Sequence, residues 1–363
     1  MSNPQPSPHP LPQFLTEIPL PNPLPPLVLS VFTRPDLLAQ VVEALRHQSL
    51  LPTQMIVLVD GPRSPQDHGP IQACIQLLED FVASTQGRTT IEFIRRPGNL
   101  GCDRNVILGM TEILERFEAI VYLEDDVRPN PNFFDCICRL LVAYRDEPKI
   151  FSVSAYSSFP EEFYGEMDAD FAISQRLFTY GWGIWSDRWQ SINLIGQPPQ
   201  ANPFGAFYKI PATAQTKLTA INQFWLEKNR KTDWVISTTL AALAQGKVHL
   251  APRASLTRNI GFGHQESETY RGREPAWANA RYDCNFSPNR LPSSLELAPS
   301  LQAELTGQAL AQFFDRKKLW LNGPALWFLL GKFRDWPSRM AWIRLFIKRF
   351  PVLVSRWRNG LPT

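Results

Sequence analysis

Four short apolar runs in the first third of the chain alternate with segments of helical pattern. The runs are Leu27–Phe32, Met55–Asp60, Ile91–Ile94 and Ala119–Leu123. Apart from Ser30, Asp60 and Glu92 they are apolar and do not alternate regularly with polar residues, which is typical of strands covered by helices on both faces. The helical segments between them run up to Gln48, from Ile71 to Ser84 and from Asp103 to Arg116. This alternation predicts a doubly wound, mostly parallel α/β sheet.

Acidic residues stand where two of these strands end. Asp60 closes the second strand, and Glu124, Asp125 and Asp126 follow the fourth directly. Ligands of open parallel sheets bind outside the carboxyl ends of the strands. The position of these acids, as well as their chemistry, therefore predicts a site at this edge of the sheet.

Three consecutive carboxylates repel one another, so their joint ionisation is costly without a cation. Carboxylate oxygens suit Mg²⁺ or Mn²⁺. A metal held by one or two carboxylates keeps open positions that a substrate diphosphate can fill. The alternative interpretation is an acidic loop in a solvated turn between strand and helix.

Composition narrows the class of protein. The chain has 363 residues, of which 44% are hydrophobic and 20% charged, which excludes a disordered chain, a disulfide-stapled miniprotein and a polytopic membrane protein. The five cysteines are odd in number and include no Cys-x-x-Cys pair. They predict reduced thiols in an intracellular protein, with neither a disulfide framework nor structural zinc. Phosphate-loop, dinucleotide and nucleophile-elbow motifs do not occur in the sequence.

The two ends of the chain differ from its middle. Residues 1–26 carry ten prolines and neither Lys nor Arg, which predicts a stiff, disordered tail and no signal peptide. A docking role for this tail is the alternative. We expect the sheet domain over 27–265, a loop-rich extension over 266–315 and a basic, Trp-rich helical segment over 316–363.

The net charge of +3 is unevenly distributed along the chain. Residues 316–358 contain eleven Lys and Arg against one acid, Asp335, a net charge of +10, so the rest of the chain carries −7. Five tryptophans lie in the same segment. The uncharged stretch Leu319–Gly331 is too short to span a bilayer, which takes about 20 residues.

Apolar residues recur at helical spacing within this basic segment, at Trp336, Met340, Ile343, Ile347 and Phe350. A basic, Trp-rich amphipathic helix is typical of the interface of an anionic membrane. The segment therefore predicts a cytoplasmic protein, peripheral at the cytoplasmic face of a membrane. The alternatives are a helical appendage packed on the main domain and a nucleic-acid-binding arm; we expect no nucleic-acid partner.

Several short motifs occur in an order that resembles GT-A nucleotide-sugar glycosyltransferases. They are Leu27–Phe32 with Arg34, Val59-Asp60-Gly61, Gly98-Asn-Leu-Gly101 with Arg104-Asn105, Tyr122-Leu-Glu-Asp-Asp126, Gly181-Trp-Gly-Ile-Trp185, Thr232-Asp-Trp234 and Thr257–Gly263. Within that group the chain is similar to the eukaryotic N-acetylglucosaminyltransferase that acts first in complex N-glycan formation, and to family 2-like glycosyltransferases. The resemblance covers residues 27–265 and implies a GT-A type, Rossmann-like fold with a helical C-terminal appendage.

The resemblance implies roles for the residues that match these motifs. Asp60 would bind the nucleotide base, with Arg34 beside it. Glu124 and Asp125 would face the ribose and the sugar. Asp126 would ligate Mn²⁺ or Mg²⁺, with the metal bridging the diphosphate of the nucleotide-sugar donor.

Three further residues have both a binding and a structural interpretation. Arg104, like Arg34, either contacts the donor or is a solvated charge beside a loop. Trp182 either stacks on a sugar face or lies in the core. His264 either touches the diphosphate or the metal, as the C-terminal loop does in several members of the fold, or is a surface or core residue.

Asp233 is the candidate general base. The segment Lys231–Ile236 predicts a helix start, for which Asp is a good N-cap. Sugar transfer with inversion needs a carboxylate that takes the proton of the acceptor hydroxyl, and the family places its base in an Asp-Trp pair at this point. Capping and base catalysis both remain open for this residue.

These features predict an inverting, metal-dependent hexosyl- or N-acetylhexosaminyltransferase. It would move a sugar from a nucleotide-diphospho-sugar, with UDP favoured by the resemblance, to a hydroxyl of a glycan, glycolipid or protein-glycan acceptor. One alternative is a non-catalytic sugar- or membrane-surface binding module on the same fold. Another is a sugar-nucleotide nucleotidyltransferase, although the sequence lacks a Gly-rich, basic loop after its first strand.

Overall fold

The computed structural model describes residues 12–157, 159, 161–196, 211–227, 234–266, 272–275, 278–316, 319, 321 and 323–358. The chain divides into two compact units. The sheet unit comprises the residues up to 196 together with 247–298, and the helical unit comprises 197–246 together with 299–363. The predicted sheet domain over 27–265 therefore differs from the structure, because residues 197–246 belong to the helical unit.

An eight-stranded sheet forms the centre of the sheet unit. Its strands are β1 (Leu27–Val31), β2 (Gln54–Val59), β3 (Thr90–Arg95), β4 (Ala119–Glu124), β6 (Ile150–Ser154), β7 (Phe171–Ser174), β8 (Trp182–Trp185) and β9 (Val248–Pro252). Their spatial order is β3-β2-β1-β4-β8-β6-β9-β7. Strands β7 and β8 run antiparallel to their neighbours, and the other neighbours pair in parallel. Two further short strands, β5 (Val127–Pro129) and β10 (Thr257–Asn259), form a separate antiparallel pair.

Helices flank this sheet, and the apolar faces of the helices and of the sheet pack together in one hydrophobic core. The helices of the sheet unit are α1 (Pro35–Arg46), α2 (His68–Ser84), α3 (Cys102–Leu114), α4 (Phe133–Ala143) and α5 (Ser186–Ile192). Strands β2 and β4 are almost fully buried along their length, as continuous apolar runs require. The predicted α/β class, a mostly parallel sheet flanked by helices with a helical C-terminal region, is confirmed.

The described part of the N-terminal segment is ordered against the sheet unit, which differs from the predicted disordered tail over 1–26. Leu15 and Ile18 are buried. The Leu15 amide donates to the Asn289 carbonyl at 2.6 Å, and the Leu291 amide donates to the Gln13 carbonyl at 2.9 Å. Prolines remove backbone donors, but the remaining amides, carbonyls and apolar side chains still dock on a neighbouring segment.

The helical unit has its own hydrophobic core. Its helices are α6 (Ala214–Glu227), α7 (Trp234–Ala244), α8 (Pro299–Gln302), α9 (Gly307–Arg316), α10 (Gly323–Lys332) and α11 (Trp336–Arg358). Leu218, Leu240 and Leu329 are buried in this core, and the Phe314 and Trp342 rings meet edge to face with centroids 5.1 Å apart. Among the described residues, no helix has both the length and the apolar character needed to cross a membrane.

A buried histidine lies in the sheet between β6 and β7. His249 is fully buried on β9, and its Nδ1 lies 2.8 Å from the Ser152 hydroxyl. Its Nε2 is buried without a hydrogen-bond partner in the described part of the chain. Burial lowers the pKa of His249 from its usual 6.5 to about 3. The imidazole is therefore neutral in the folded protein at any pH above that value.

We expect this histidine to make the sheet unit sensitive to acid. The unfolded chain takes up a proton near pH 6.5 and the folded chain only near pH 3, so stability is present above the unfolded pKa and is lost as pH falls. The contribution is up to about 1.4 kcal/mol per pH unit within that window. Denaturant titrations of wild type and His249→Gln between these pH values should give a shallower slope for the variant. Equal slopes would contradict the assignment.

Candidate functional site at the carboxyl edge of β1 and β4

The pairing of β1 with β4 brings two loops together at the carboxyl edge of the sheet. The strands run in parallel, with Ser30 opposite Glu124. The loop that leads from β1 into α1 and the acids that follow β4 therefore leave the sheet side by side. The Phe32 amide points to the Asp125 carboxylate at 3.4 Å, and Pro35 opens α1, a position that suits its fixed φ angle.

Arg34 joins Asp125 and Asp126 in one ionic cluster. Its guanidinium contacts both oxygens of Asp125, and its Nη1 donates to Asp126 Oδ2 at 2.8 Å. The Asp125 side chain is 3% exposed and that of Arg34 is 18% exposed. Arg34 thus supplies part of the positive charge that the sequence argument assigned to a metal ion.

Burial and charge act in opposite directions within this cluster. Burial raises the pKa of Asp125, and the nearby Arg34 charge opposes that rise. Burial lowers the pKa of Arg34, but the charges of Asp125 and Asp126 outweigh it, so the pKa of Arg34 is raised overall. Arg34 is therefore permanently charged. Three ionised acids at Glu124, Asp125 and Asp126 against one arginine would leave this edge with excess negative charge.

Asp126 lies beside the short antiparallel pair of β5 and β10. Val127 pairs with Asn259, and the Ile260 amide donates to the Asp126 carbonyl at 2.8 Å. A Cβ atom on Gly261 would lie 2.2 Å from Asp126 Oδ2, so the backbone can pass here only as glycine. The motif Thr257–Gly263 therefore contains a contact with the acid that its sequence does not indicate.

Two buried oxygen atoms in these loops have no hydrogen-bond partner among the described residues. They are Oδ1 of Asp126 and Oγ1 of Thr33, the residue that precedes Arg34. Buried polar atoms are normally satisfied, so each such atom calls for a physical explanation. A ligand or cation that contacts Asp126 Oδ1 would supply one. Thr33 was missed by the sequence analysis because a threonine beside a strand end carries no distinctive signal.

The donor set fits a cation that is held by one protein carboxylate. No group of three or more His, Cys, Asp and Glu side chains suited to a metal occurs among the residues that the structure describes. Asp126 keeps one oxygen without a partner, while its other oxygen accepts from Arg34. A cation on Asp126 would therefore depend on oxygens of a bound ligand to complete its coordination.

Asp60 accepts hydrogen bonds from donors within the chain. Its Oδ1 accepts from the Gly61 and Leu100 amides, each at 2.8 Å. Its Oδ2 accepts from the Gly101 amide and from Asn99 Nδ2, each at 3.0 Å. Four donors fill the acceptor capacity of one carboxylate. Asp60 therefore holds the loop that leads into α3, and its contact with a nucleotide base stays a prediction.

Glu124 and Arg104 lie at the same edge of the sheet. Glu124 is the last residue of β4 and is partly buried. Arg104 is exposed in the first turn of α3, directly after the loop that Asp60 holds. Their contacts with a donor stay predictions.

The predicted sugar-stacking role of Trp182 is corrected by its burial. Trp182 is fully buried on β8, opposite Tyr122 on β4, and the two rings meet edge to face with centroids 6.2 Å apart. A Cβ on the next residue, Gly183, would lie 2.7 Å from Ile137 Cγ2 of α4. The indole and its neighbouring glycine therefore serve helix–sheet packing and present no face to a ligand.

His264 lies at Asp36 and not among the acids of β4. Its Nε2 is 3.1 Å from Asp36 Oδ2, and its Nδ1 accepts from the Glu266 amide at 3.2 Å. Both ring nitrogens thus have partners within the chain, and the contact of His264 with the diphosphate or metal stays a prediction.

Polar contacts tie the segment Gly261–Glu266 to the first turn of α1 and to the loop after β2. Besides the contact of His264 with Asp36, Glu266 pairs with Arg63 at 2.7 Å. The Arg63 guanidinium also lies over the Phe32 ring, 4.8 Å from its centroid. Sequence analysis missed these pairs because their partners are separated by about 200 positions, a distance that only the folded chain closes.

The candidate base Asp233 lies outside the described residues. The helix predicted around it exists, since α7 begins at Trp234. Its predicted roles as N-cap and as base both stay predictions.

Comparisons with known proteins give only distant structural likenesses. No family model and no curated protein matches the sequence. A mannosyltransferase of Pyrobaculum calidifontis in complex with GDP-Man and Mn²⁺ is 11% identical, with a TM-score of 0.37, over 66% of this chain and 73% of that one. A UDP-glucose pyrophosphorylase complexed with UDP-glucose is 9% identical, with a TM-score of 0.36, and the match covers 66% of this chain and 94% of that one. GalNAc-T7 with UDP, GalNAc and Mn²⁺ is 10% identical, with a TM-score of 0.34, and the match covers 47% of this chain and 37% of that one. Scores this low carry no weight for function.

Proposed function

We propose that this protein is a GT-A type, metal-dependent glycosyltransferase that moves a sugar from a nucleotide-diphospho-sugar to an acceptor hydroxyl. UDP is the favoured nucleotide, and a glycan, glycolipid or protein glycan is the acceptor. The observation that carries the proposal is the carboxyl edge of β1 and β4, where Asp126 keeps a buried carboxylate oxygen without a partner in the described chain. The ordered motifs of the sequence support the same assignment.

Charge explains why a diphosphate donor would need a cation at this edge. Among the described contacts, the carboxylates of Asp125 and Asp126 share one guanidinium, that of Arg34, and Glu124 adds a third acid beside them. A diphosphate is itself an anion and would be repelled by this excess of carboxylates. A divalent ion, Mn²⁺ or Mg²⁺, would stabilise the leaving diphosphate as a Lewis acid.

Each residue at this edge of the sheet would have a separate role in binding the donor. Arg34 fixes the orientation of Asp125 and occupies one oxygen of Asp126, which leaves Asp126 Oδ1 as the ligand to the cation. The Gly261 backbone lets Asp126 keep this orientation because no side chain intrudes. Glu124, at the end of β4, would face the sugar side of the donor.

Asp233 is the residue that would act on the acceptor. We propose that its carboxylate takes the proton of the acceptor hydroxyl as the hydroxyl oxygen attacks the anomeric carbon, which gives inversion of configuration. The resemblance of Thr232-Asp-Trp234 to the family motif supports this role.

A screen of nucleotide-sugar hydrolysis tests the proposal. We expect the purified protein to release UDP from at least one UDP-sugar in the presence of Mn²⁺, to lose this activity with a chelator and to regain it with Mn²⁺. A panel of glycan, glycolipid and glycopeptide acceptors should accelerate the release. Absence of turnover for UDP- and GDP-sugars alike, with every acceptor and with metal present, would count against an enzyme.

A non-catalytic sugar-binding module is the second candidate, and the Arg34 fork is the observation that favours it. The guanidinium compensates Asp125 and part of Asp126 without any metal. Such a site could hydrogen-bond an uncharged sugar through its carboxylates. Calorimetry would separate the two candidates: a module binds free sugar without metal, whereas the proposed enzyme binds UDP only when Mn²⁺ is present.

A further inference from the structure

Helix α11 has two apolar faces, of which one is buried and the other exposed. Trp342 and Leu345 are buried in the core of the helical unit. Trp336, Ile347 and Phe350 lie on another side of the helix and are 71%, 64% and 53% exposed. The separations between these three positions are sums of three and four residues, so the side chains lie in one stripe along the helix. Soluble helices usually place polar residues on that side.

A cavity continues this stripe onto helix α10. It has a volume of about 960 Å³, and Trp336 and Ile343 of α11 line it together with Trp327 of α10. Trp327 is 76% exposed, the largest exposure among the large apolar side chains that the structure describes. The stripe and the cavity therefore form one apolar patch, which we call the α10–α11 patch and define by Trp327, Trp336, Ile343, Ile347 and Phe350.

Basic side chains border the α10–α11 patch. Lys217, Lys332 and Arg339 line the cavity. Burial lowers the pKa of Lys217, and the charge of Lys332 lowers it further. The charge of Glu304, which pairs with Lys332, opposes this lowering.

Some of the charge around the patch is already compensated by acids. Lys332 pairs with Glu304 at 3.2 Å, and Asp315 pairs with Lys348 at 2.7 Å and with Arg349 at 3.3 Å. Asp335 accepts from the Ser338 amide at the start of α11. Over residues 316–358 the excess of cations is nevertheless +10. Glu304 and Asp315 lie outside that range, and adding these two acids lowers the excess to +8, which is still strongly basic.

We propose that the α10–α11 patch docks on an anionic lipid bilayer, with Trp327 and Trp336 inserted at the level of the headgroups. Indole rings combine a large apolar surface with a polar N–H and suit the membrane interface. Basic side chains beside an apolar stripe attract acidic headgroups while the stripe enters the acyl boundary. The cavity between the two tryptophans accepts one phosphate headgroup beside Lys217 and Lys332. This specifies the residues of the predicted membrane contact and does not depend on the proposed enzyme activity.

Charge favours a bilayer over a second copy of the chain. In a two-fold symmetric dimer the same patch would face itself, which would bring two strongly basic segments together. Like charges in such an interface oppose association. An anionic bilayer instead neutralises the basic border and covers the apolar stripe at the same time.

Vesicle flotation with the full-length protein tests the proposal. We expect wild type to float with phosphatidylcholine vesicles that contain phosphatidylglycerol, and to bind pure phosphatidylcholine vesicles about tenfold or more weakly. The double variant Trp327→Ser/Trp336→Ser should bind the anionic vesicles about tenfold or more weakly than wild type. Ile195→Ser is the matched control, since Ile195 is 53% exposed in the sheet unit. Circular dichroism should show unchanged folding, because both tryptophans are exposed.

Two lysine variants and a measurement of how deeply the tryptophans insert into the bilayer complete the test. Lys332→Gln should weaken binding to anionic vesicles about fivefold. Lys149→Gln, which likewise removes a lysine paired with one glutamate, should leave binding unchanged. Lipids brominated near the headgroup should quench wild-type tryptophan fluorescence more than that of the double variant.

Three results would overturn the proposal. The first is absence of binding to anionic vesicles, and the second is equal binding by wild type and the tryptophan double variant. The third is a dimer in analytical ultracentrifugation that dissociates in that variant, because it would assign the patch to a second copy. Each of these readouts is independent of glycosyl transfer, so failure of the enzyme proposal and failure of the membrane proposal can be told apart.

Discussion

Asp126→Asn should lower metal-dependent turnover of the nucleotide-sugar by about 100-fold or more while the protein stays folded. The substitution keeps the size of the side chain and removes the charge that would hold the cation. Asp126 Oδ1, which has no partner in the described chain, is the atom that loses its ligand capacity. Steady-state release of UDP with saturating Mn²⁺ would measure the loss. Calorimetric titration with Mn²⁺ and UDP should show a parallel loss of binding.

The matched control for this variant is Asp135→Asn. Asp135 is also a partly buried aspartate paired with an arginine, Arg139, but it lies on α4. We expect its variant to keep wild-type turnover and metal binding. If Asp126→Asn retained full Mn²⁺-dependent activity, Asp126 would not be the metal ligand, and the assignment of the edge as a donor site would fail.

Arg34→Met should lower the free energy of unfolding by about 3 kcal/mol at neutral pH, because it leaves a buried carboxylate at Asp125 without its partner. The methionine keeps most of the apolar stem and removes the guanidinium that contacts both aspartates. Chemical denaturation monitored by tryptophan fluorescence would measure the change. The second variant, Arg34→Met/Asp125→Asn, should recover part of the loss because it removes the unpaired charge as well.

Arg116→Met is the control for the arginine variant. Arg116 forms a two-pronged pair with Glu92 on the surface, where the partners are 46% and 38% exposed, so its loss should cost no more than about 1 kcal/mol. Mn²⁺ should raise the unfolding temperature of Arg34→Met more than that of wild type, since the cation would replace the missing positive charge. Equal costs for the two arginine variants would contradict a buried ionic cluster at Arg34.

Hydrophobic patterning predicted four of the eight strands of the sheet. The four apolar runs correspond to β1, β2, β3 and β4, with ends that differ by a residue or two, and the helices between them are α1, α2 and α3. Such runs are informative because a strand buried on both faces must be apolar at every position, whatever its neighbours are. The same reasoning placed Asp125 and Asp126 at the carboxyl edge, because parallel strands end together, whereas Arg34 was expected there only from the resemblance.

The roles of single side chains were less predictable. Asp60 was expected to contact a base, and the structure gives its carboxylate four donors within the chain. For Trp182 the sequence left open a sugar-stacking face or a place in the core, and β8, an antiparallel strand between β4 and β6, places it in the core. For His264 the sequence left open a contact with the phosphates or a structural place, and the structure puts Asp36 beside it. In each case at least some of the residues that decide the environment lie far away in the sequence, so a local sequence pattern does not contain them.

The sequence by itself determined the order of strands and helices, the acidic strand end and the basic, Trp-rich C-terminal segment, because periodicity and charge are local properties of the chain. Only the tertiary structure decided that residues 197–246 share a unit with the C-terminal helices, that Arg34 neutralises part of the acidic cluster and that α11 exposes a second apolar face. These facts depend on which surfaces bury each other. Packing between distant segments sets the number of partners that each polar or apolar side chain finds, and the sequence pattern does not specify that number.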